Sequence, residues 1–211
     1  MAGKSQGLDL TAFQRQKEML NREEKKKMIL NFIADNDVDF DYIRQAYRDY
    51  YDLAKERKPG GRVQFPDFCQ VMKVEPIMEY RKMHSFYDDE ELGDMDLREF
   101  LLSMMNYVSV DREERIKFSF EMFDENKTGF ITQKEVEEIL RGNHMLSLQA
   151  VRKKAETVMK QAHSDRAGYV NMREFVVVSK KFPNVLFPTA GIVNIPKGVR
   201  SAASKAEAIP G

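Results

Sequence analysis

Cysteine is nearly missing from this chain. Cys69 stands alone among 211 residues, so no internal disulfide can form, which suits a reducing compartment. Long apolar runs are missing too; nothing approaches the roughly 18 consecutive apolar residues of a membrane-crossing helix. Nor is there an excess of one charge. Lys plus Arg number 34 and Asp plus Glu number 34, which excludes the basic surplus that a nucleic-acid binder needs for phosphate contacts. The N-terminus, Met1-Ala2-Gly3-Lys4-Ser5, lacks the apolar run of a secretory signal, and its third-place glycine misses the N-myristoylation pattern. His84, His144 and His163 have no Cys or Ser partner at a meaningful spacing, and no Gly-rich phosphate loop occurs. The expectation is a soluble, cytoplasmic chain without enzymatic activity.

What the chain does have is a repeat. Four segments share an aromatic or apolar helix end, a polar stretch holding a Gly, a hydrophobic residue two later and an acidic residue six after the Gly. They centre on Gly61 (with Val63 and Asp67), Gly93 (Met95, Glu99), Gly129 (Ile131, Glu135) and Gly168 (Val170, Glu174). The intervals leave room for a helix, a loop and a second helix. Leu97 to Val108 puts Phe100, Leu101, Met104, Met105 and Val108 on one helical face. Leu148, Val151, Ala155, Val158, Met159 and Ala162 form a similar stripe. Asp96 with Glu99, Thr132 with Glu135 and Asn171 with Glu174 are capping boxes opening the second helix of a unit. Pro66 fits the first turn of the corresponding helix in the first unit, and Gly142 is expected to end a helix running from Thr132 to Arg141. The spacing predicts an all-α fold of four helix-loop-helix units, paired one with two and three with four through short β-bridges between loops.

The third loop, DENKTGFITQKE, carries the chemistry. Calcium is a hard dication that takes about six to eight oxygens in a flexible cage, which a 12-residue loop supplies from positions 1, 3, 5, 7, 9 and 12. Here those are Asp124, Asn126, Thr128, the Phe130 carbonyl, Thr132 through water and the bidentate carboxylate of Glu135. Gly129 at position 6 permits the sharp turn. With only Asp124 and Glu135 charged, the expected Kd is on the order of 10⁻⁶ to 10⁻⁵ M, and magnesium is a competitor.

The other loops depart from this pattern. In the second, Asp88, Glu90, Asp94, Asp96 and Glu99 make a possible second metal site, but Leu92 occupies position 5. In the fourth, His163 and Ala167 replace two oxygen ligands. The first, from Asp52 to Asp67, is four residues too long and carries Lys55, Arg57, Lys58 and Arg62, so it is expected to be structural.

Outside the repeat, Asn21 with Glu24 reads as a capping box opening a helix through Met28, Ile29, Phe32 and Ile33, with Lys25, Lys26 and Lys27 on a solvated face. After the fourth unit, Phe182-Pro183-Asn184-Val185-Leu186-Phe187-Pro188 is apolar and proline-broken, and is expected to fold back onto the chain rather than dock on a partner. Residues 198–211 show no core-forming pattern and are expected to be disordered when free. The expected divisions are 1–40 (helical extension), 41–108 (first pair), 109–182 (second pair) and 183–211 (extended tail).

The loop from Asp124 to Glu135 resembles the EF-hand consensus of the calmodulin superfamily, and all four units fit it. A four-unit chain with an N-terminal extension and a C-terminal tail is similar to the calcineurin B, neuronal-calcium-sensor and calcineurin-B-like branch. That resemblance implies a calcium sensor or regulatory subunit gripping an amphipathic target helix in a hydrophobic groove. Met104, Met105, Met145 and Met159, among thirteen methionines, are either groove residues or core filling. A second reading is a structural subunit, largely insensitive to calcium, of a large cytoskeletal or ciliary assembly. The closing units also look like those appended to lysophospholipid acyltransferases, though no catalytic domain is recognised in this chain.

Overall fold

The computed structural model describes residues 10–54, 61–88, 92–144, 148–162 and 166–187. The fold is all-α with two short antiparallel strand pairs. Helices α1 (Leu10–Asp35) and α2 (Phe40–Ala54) lead to strand β1 (Arg62–Gln64) and helices α3 (Phe65–Met72) and α4 (Met78–Ser85). Strand β2 (Asp94–Asp96) and helix α5 (Leu97–Met105) complete the N-terminal half. The C-terminal half holds α6 (Arg112–Phe123), β3 (Phe130–Thr132), α7 (Gln133–His144), α8 (Leu148–Ala162), β4 (Tyr169–Asn171), α9 (Met172–Lys181) and the short α10 (Pro183–Leu186).

The units pair as the repeat predicts. β1 runs antiparallel to β2 with Val63 opposite Met95, and β3 to β4 with Ile131 opposite Val170. All four of these residues are buried, because alternate strand residues face opposite sides and the middle one of each short strand faces the core. Each strand opens directly into a helix. Asn171 and Glu174 form a reciprocal capping box at α9, and Pro66 sits in the first turn of α3. Asp96 caps α5 by accepting from the Arg98 and Glu99 amides, but the Glu99 carboxylate turns away to Arg141 instead of closing the box.

Three local expectations are corrected. Helix α1 begins at Leu10 and passes straight through Asn21, so no capping box opens there. No Gly or Pro interrupts residues 10–35, and a helix once nucleated propagates through such a stretch. Gly142 does not end α7, which continues to His144. Its missing side chain serves packing instead: a Cβ there would lie 2.9 Å from Leu102 Cβ and 3.0 Å from the Glu99 carbonyl oxygen. Lastly, α5 is not buried on one face only, since every residue from Leu97 to Met105 is buried. It packs against α1, α2, α6 and α7 at once.

The two halves share one core through α5 and α7. On the N-terminal side α1 contributes Ile29, Phe32 and Ile33, with Phe32 edge-on to Phe100 at 5.5 Å. Its Lys25 lies 4.4 Å from the centre of the Tyr87 ring. On the C-terminal side the described start of the tail, up to Phe187, folds back as expected, with Pro183–Leu186 helical rather than extended. Leu186 and Phe187 are fully buried, with Phe187 6.2 Å from Phe175 and beneath Arg115. Met104 and Met105 are core residues with no exposed surface; Met159 is half-buried, and Met145 lies outside the described residues. In the α8 stripe, Val151, Ala155, Val158 and Ala162 are buried as the periodicity predicts. No helix among the described residues is long and apolar enough to cross a membrane.

Candidate metal loop and its surroundings

Helix α6 ends at Phe123, and Asp124 leaves the helical conformation to start the third loop. One Asp124 carboxylate oxygen accepts from the Thr128 amide at 2.8 Å and lies 2.9 Å from its hydroxyl; the other accepts from the Gly129 amide at 2.8 Å. The Thr128 hydroxyl is also 3.1 Å from the Phe130 carbonyl oxygen. Three of the predicted oxygen ligands, those of Asp124, Thr128 and Phe130, therefore converge on one side of the turn. The turn requires Gly129 at φ +80° and Lys127 at φ +52°, the region in which glycine carries no steric penalty.

At the other end of the loop, Glu135 Oε2 accepts from the Thr132 amide at 2.5 Å and lies 2.9 Å from the Thr132 hydroxyl. The capping box predicted from Thr132 and Glu135 thus also joins the last two ligand positions. Asn126 is exposed at the loop surface.

Sequence reasoning missed the ion pairs behind this loop. Glu125, second in the loop, accepts from Arg98 at 3.3 Å and from the Tyr50 hydroxyl at 3.2 Å. Arg98 also reaches Glu138 of α7 at 3.0 Å and Asp96 at 3.4 Å, and its guanidinium lies 4.5 Å from the centre of the Phe123 ring. In the reverse direction, Arg141 of α7 pairs with Glu99 of α5 at 2.5 Å. Two crossed arginine–carboxylate pairs thus join α5 to α7. The available signal was Arg98, Glu99, Glu138 and Arg141 lying among core-facing apolar residues, where a buried charge requires a partner.

The charges in this network are unevenly balanced. Burial opposes the charge on Arg98, yet Asp96, Glu138 and Glu125 outweigh it and raise its pKa further. One cation does not satisfy three carboxylates. Burial pushes the Glu138 carboxyl up to about 7, against the pull of Arg98 and with the help of Asp96. Burial likewise raises Glu99, opposed by Arg141.

In the second loop Asp88 repeats the Asp124 arrangement, accepting from the amides of Leu92 at 3.0 Å and Gly93 at 2.8 Å. The other second-site residues are not brought together around it. Asp94 faces Arg62 at 3.2 Å, Asp96 faces Arg98 and Glu99 faces Arg141. Leu92 is two-thirds exposed, and Glu90 lies outside the described residues. In the fourth loop, Arg166 lies 4.0 Å from the Tyr169 ring centre and 5.3 Å from that of Phe130, while His163 is outside the described residues. The cationic residues Lys55, Arg57 and Lys58 of the first loop are outside them too.

A family model for the EF-hand domain pair matches residues 113–180. That segment is an EF-hand pair. The relatives of the chain include EF-hand proteins. The type 2 calcineurin B of Dictyostelium discoideum is 29% identical over 99 residues, covering 46% of this chain and 53% of that protein. Calcium-dependent protein kinase 34 of Arabidopsis thaliana is 28% identical over 103 residues, covering 49% of this chain and 19% of the kinase. Human lysophosphatidylcholine acyltransferase 2 is 24% identical over 176 residues, covering 80% of this chain and 31% of the acyltransferase. The chain thus spans less than a third of the acyltransferase's length.

EF-hand domains bind calcium. In the third hand the donor set fits such an ion, with carboxylates at both ends and hydroxyl, amide and carbonyl oxygens between. Among the described residues no three acidic, histidine or cysteine side chains are grouped so as to hold a metal ion between them.

Proposed function

We propose that this chain binds one calcium ion in its third EF-hand and serves as a non-catalytic sensor or regulatory subunit for a protein target in the cytoplasm. Asp124, Asn126, Thr128, the Phe130 carbonyl, Thr132 and Glu135 hold the ion, and magnesium competes for the same oxygens. The ion supplies positive charge that draws the two ends of the loop together; the chain supplies the pre-shaped turn. The observation that carries this reading is the Asp124 carboxylate gathering the amides of Thr128 and Gly129 beside the Phe130 carbonyl. The target is an amphipathic helix or a larger assembly. The name of one relative, a calcineurin subunit, supports the regulatory-subunit part of this reading, and that of another, a calcium-dependent protein kinase, supports the calcium part.

A second reading has its own supporting observation. Leu186 and Phe187 already fill the apolar side of the second pair, which favours a largely calcium-insensitive structural subunit of a cytoskeletal or ciliary assembly.

Calorimetric calcium titration of the wild type beside Glu135→Gln, in physiological magnesium, tests the first reading. One micromolar-range site that disappears in the variant is the expected result. Two sites, one of them surviving the substitution, would assign an ion to the second loop as well. A chain without any calcium binding would leave the structural reading in its place.

A further inference from the structure

The residues around Arg98 contact both ends of the third loop. Phe123 and Glu125 flank Asp124, the first predicted ligand, and both lie against the guanidinium, at 4.5 Å and 3.3 Å. Glu138 stands three residues beyond Glu135, the last predicted ligand, one turn along α7 and on the same helical side. It meets the same guanidinium at 3.0 Å. One side chain, 6% exposed, thus spans the entrance and the exit of a loop to which it does not belong.

The guanidinium is itself fixed from the first two hands. Asp96, the cap of α5, holds it at 3.4 Å. The backbone of the first loop closes over it so tightly that a Cβ at Gly61 would lie 2.3 Å from Arg98 Nε. The Gly61 amide donates to the Tyr50 hydroxyl at 2.7 Å, and that hydroxyl donates to Glu125 at 3.2 Å.

We propose that Arg98 of the second hand is a positioning residue for the metal loop of the third, setting its calcium affinity by fixing the separation of Asp124 and Glu135. The inference rests on the third loop binding calcium, as read above. It gives the two degenerate hands a role: their loops hold the arginine that shapes their neighbour's cage. Outer partners that orient metal ligands typically contribute about 10- to 100-fold to affinity.

Charge and geometry act in opposite directions here, which makes the proposal testable. Removing the cation leaves Glu125, Glu138 and Asp96 uncompensated beside the loop, and by charge alone that tightens calcium binding. Losing the fork-shaped clamp weakens it. Lysine keeps the charge but not the planar fork.

The experiment is calcium titration of the full chain as wild type, Arg98→Gln and Arg98→Lys, with folding checked by circular dichroism. The expected result is binding weaker by about 10-fold or more in both variants, with the stoichiometry retained. Unchanged or tighter binding in either variant, while the wild type binds, overturns the positioning role and leaves the calcium reading intact. A wild type that binds no calcium overturns both. Should the Arg98 variants fail to fold, Tyr50→Phe loosens the same clamp without altering charge. Weakened calcium binding is expected there, and unchanged affinity overturns the proposal.

Discussion

Gly142 in α7 and Leu102 in α5 meet where the two halves of the molecule join, so closely that a Cβ on residue 142 would fall 2.9 Å from Leu102 Cβ. The Gly142 carbonyl accepts from the Ser103 hydroxyl at 2.9 Å, and the neighbouring Asn143 carbonyl accepts from the Asn106 side-chain amide at 3.0 Å. The glycine brings two helix backbones near enough for side chains of one to bond carbonyls of the other.

Gly142→Val is therefore expected to force α5 and α7 apart. Overpacking of this kind costs about 1–3 kcal/mol, offset by a few tenths of a kcal/mol because valine is a better helix former than glycine. The urea unfolding midpoint should fall with little change in slope. An unchanged midpoint would show that this approach is not a tight one in solution.

The returning tail yields a second prediction. Phe187 has no exposed surface, and it lies against Phe175 and beneath Arg115. Phe187→Ala should destabilise the chain by about 3 kcal/mol, the lower end for a buried Phe, because a terminal segment relaxes more readily than a helix within the core. Thermal unfolding measures the loss, and increased binding of a hydrophobic dye would report the uncovered surface of the second pair.

Glu138 provides a prediction about pH. It is faced by Arg98 and Asp96 from α5 and the adjoining strand, and by Lys134 and Glu135 on its own helix. Burial raises its carboxyl from 4.5 to about 7 in the folded chain. The fold thus favours the protonated form, and this group's contribution to stability is largest below about pH 4.5. It declines as pH rises from there to about 7 and is constant above. Measured without divalent metal, Glu138→Gln should flatten the fall in stability between pH 5 and 7 relative to the wild type. Equal slopes in the two proteins would refute the assignment.

Much of the fold was legible because it is written in local spacing. The Gly and the hydrophobic residue two places later marked all four strands, and in the Asp124 to Glu135 loop the oxygens of Asp124, Thr128 and Phe130 lie together while Thr132 and Glu135 pair at its other end. The misreadings arose where a local signal has two structural meanings. Gly142 resembles a helix stop, and Asn21 with Glu24 resembles a helix start. Which meaning holds depends on the neighbouring helix for the first, and on the unbroken stretch upstream for the second. Asp94, Asp96 and Glu99 have the spacing of ligands, yet each faces an arginine.

The sequence by itself determined the pairing of the units and the place of each loop's glycine turn, because backbone geometry repeats with a fixed period whatever surrounds it. Only the tertiary structure decided how the carboxylates are used. A carboxylate takes the nearest well-placed cation or amide, and Arg98 and Arg141 are brought to Glu138 and Glu99 from some forty residues away by the packing of α5 on α7.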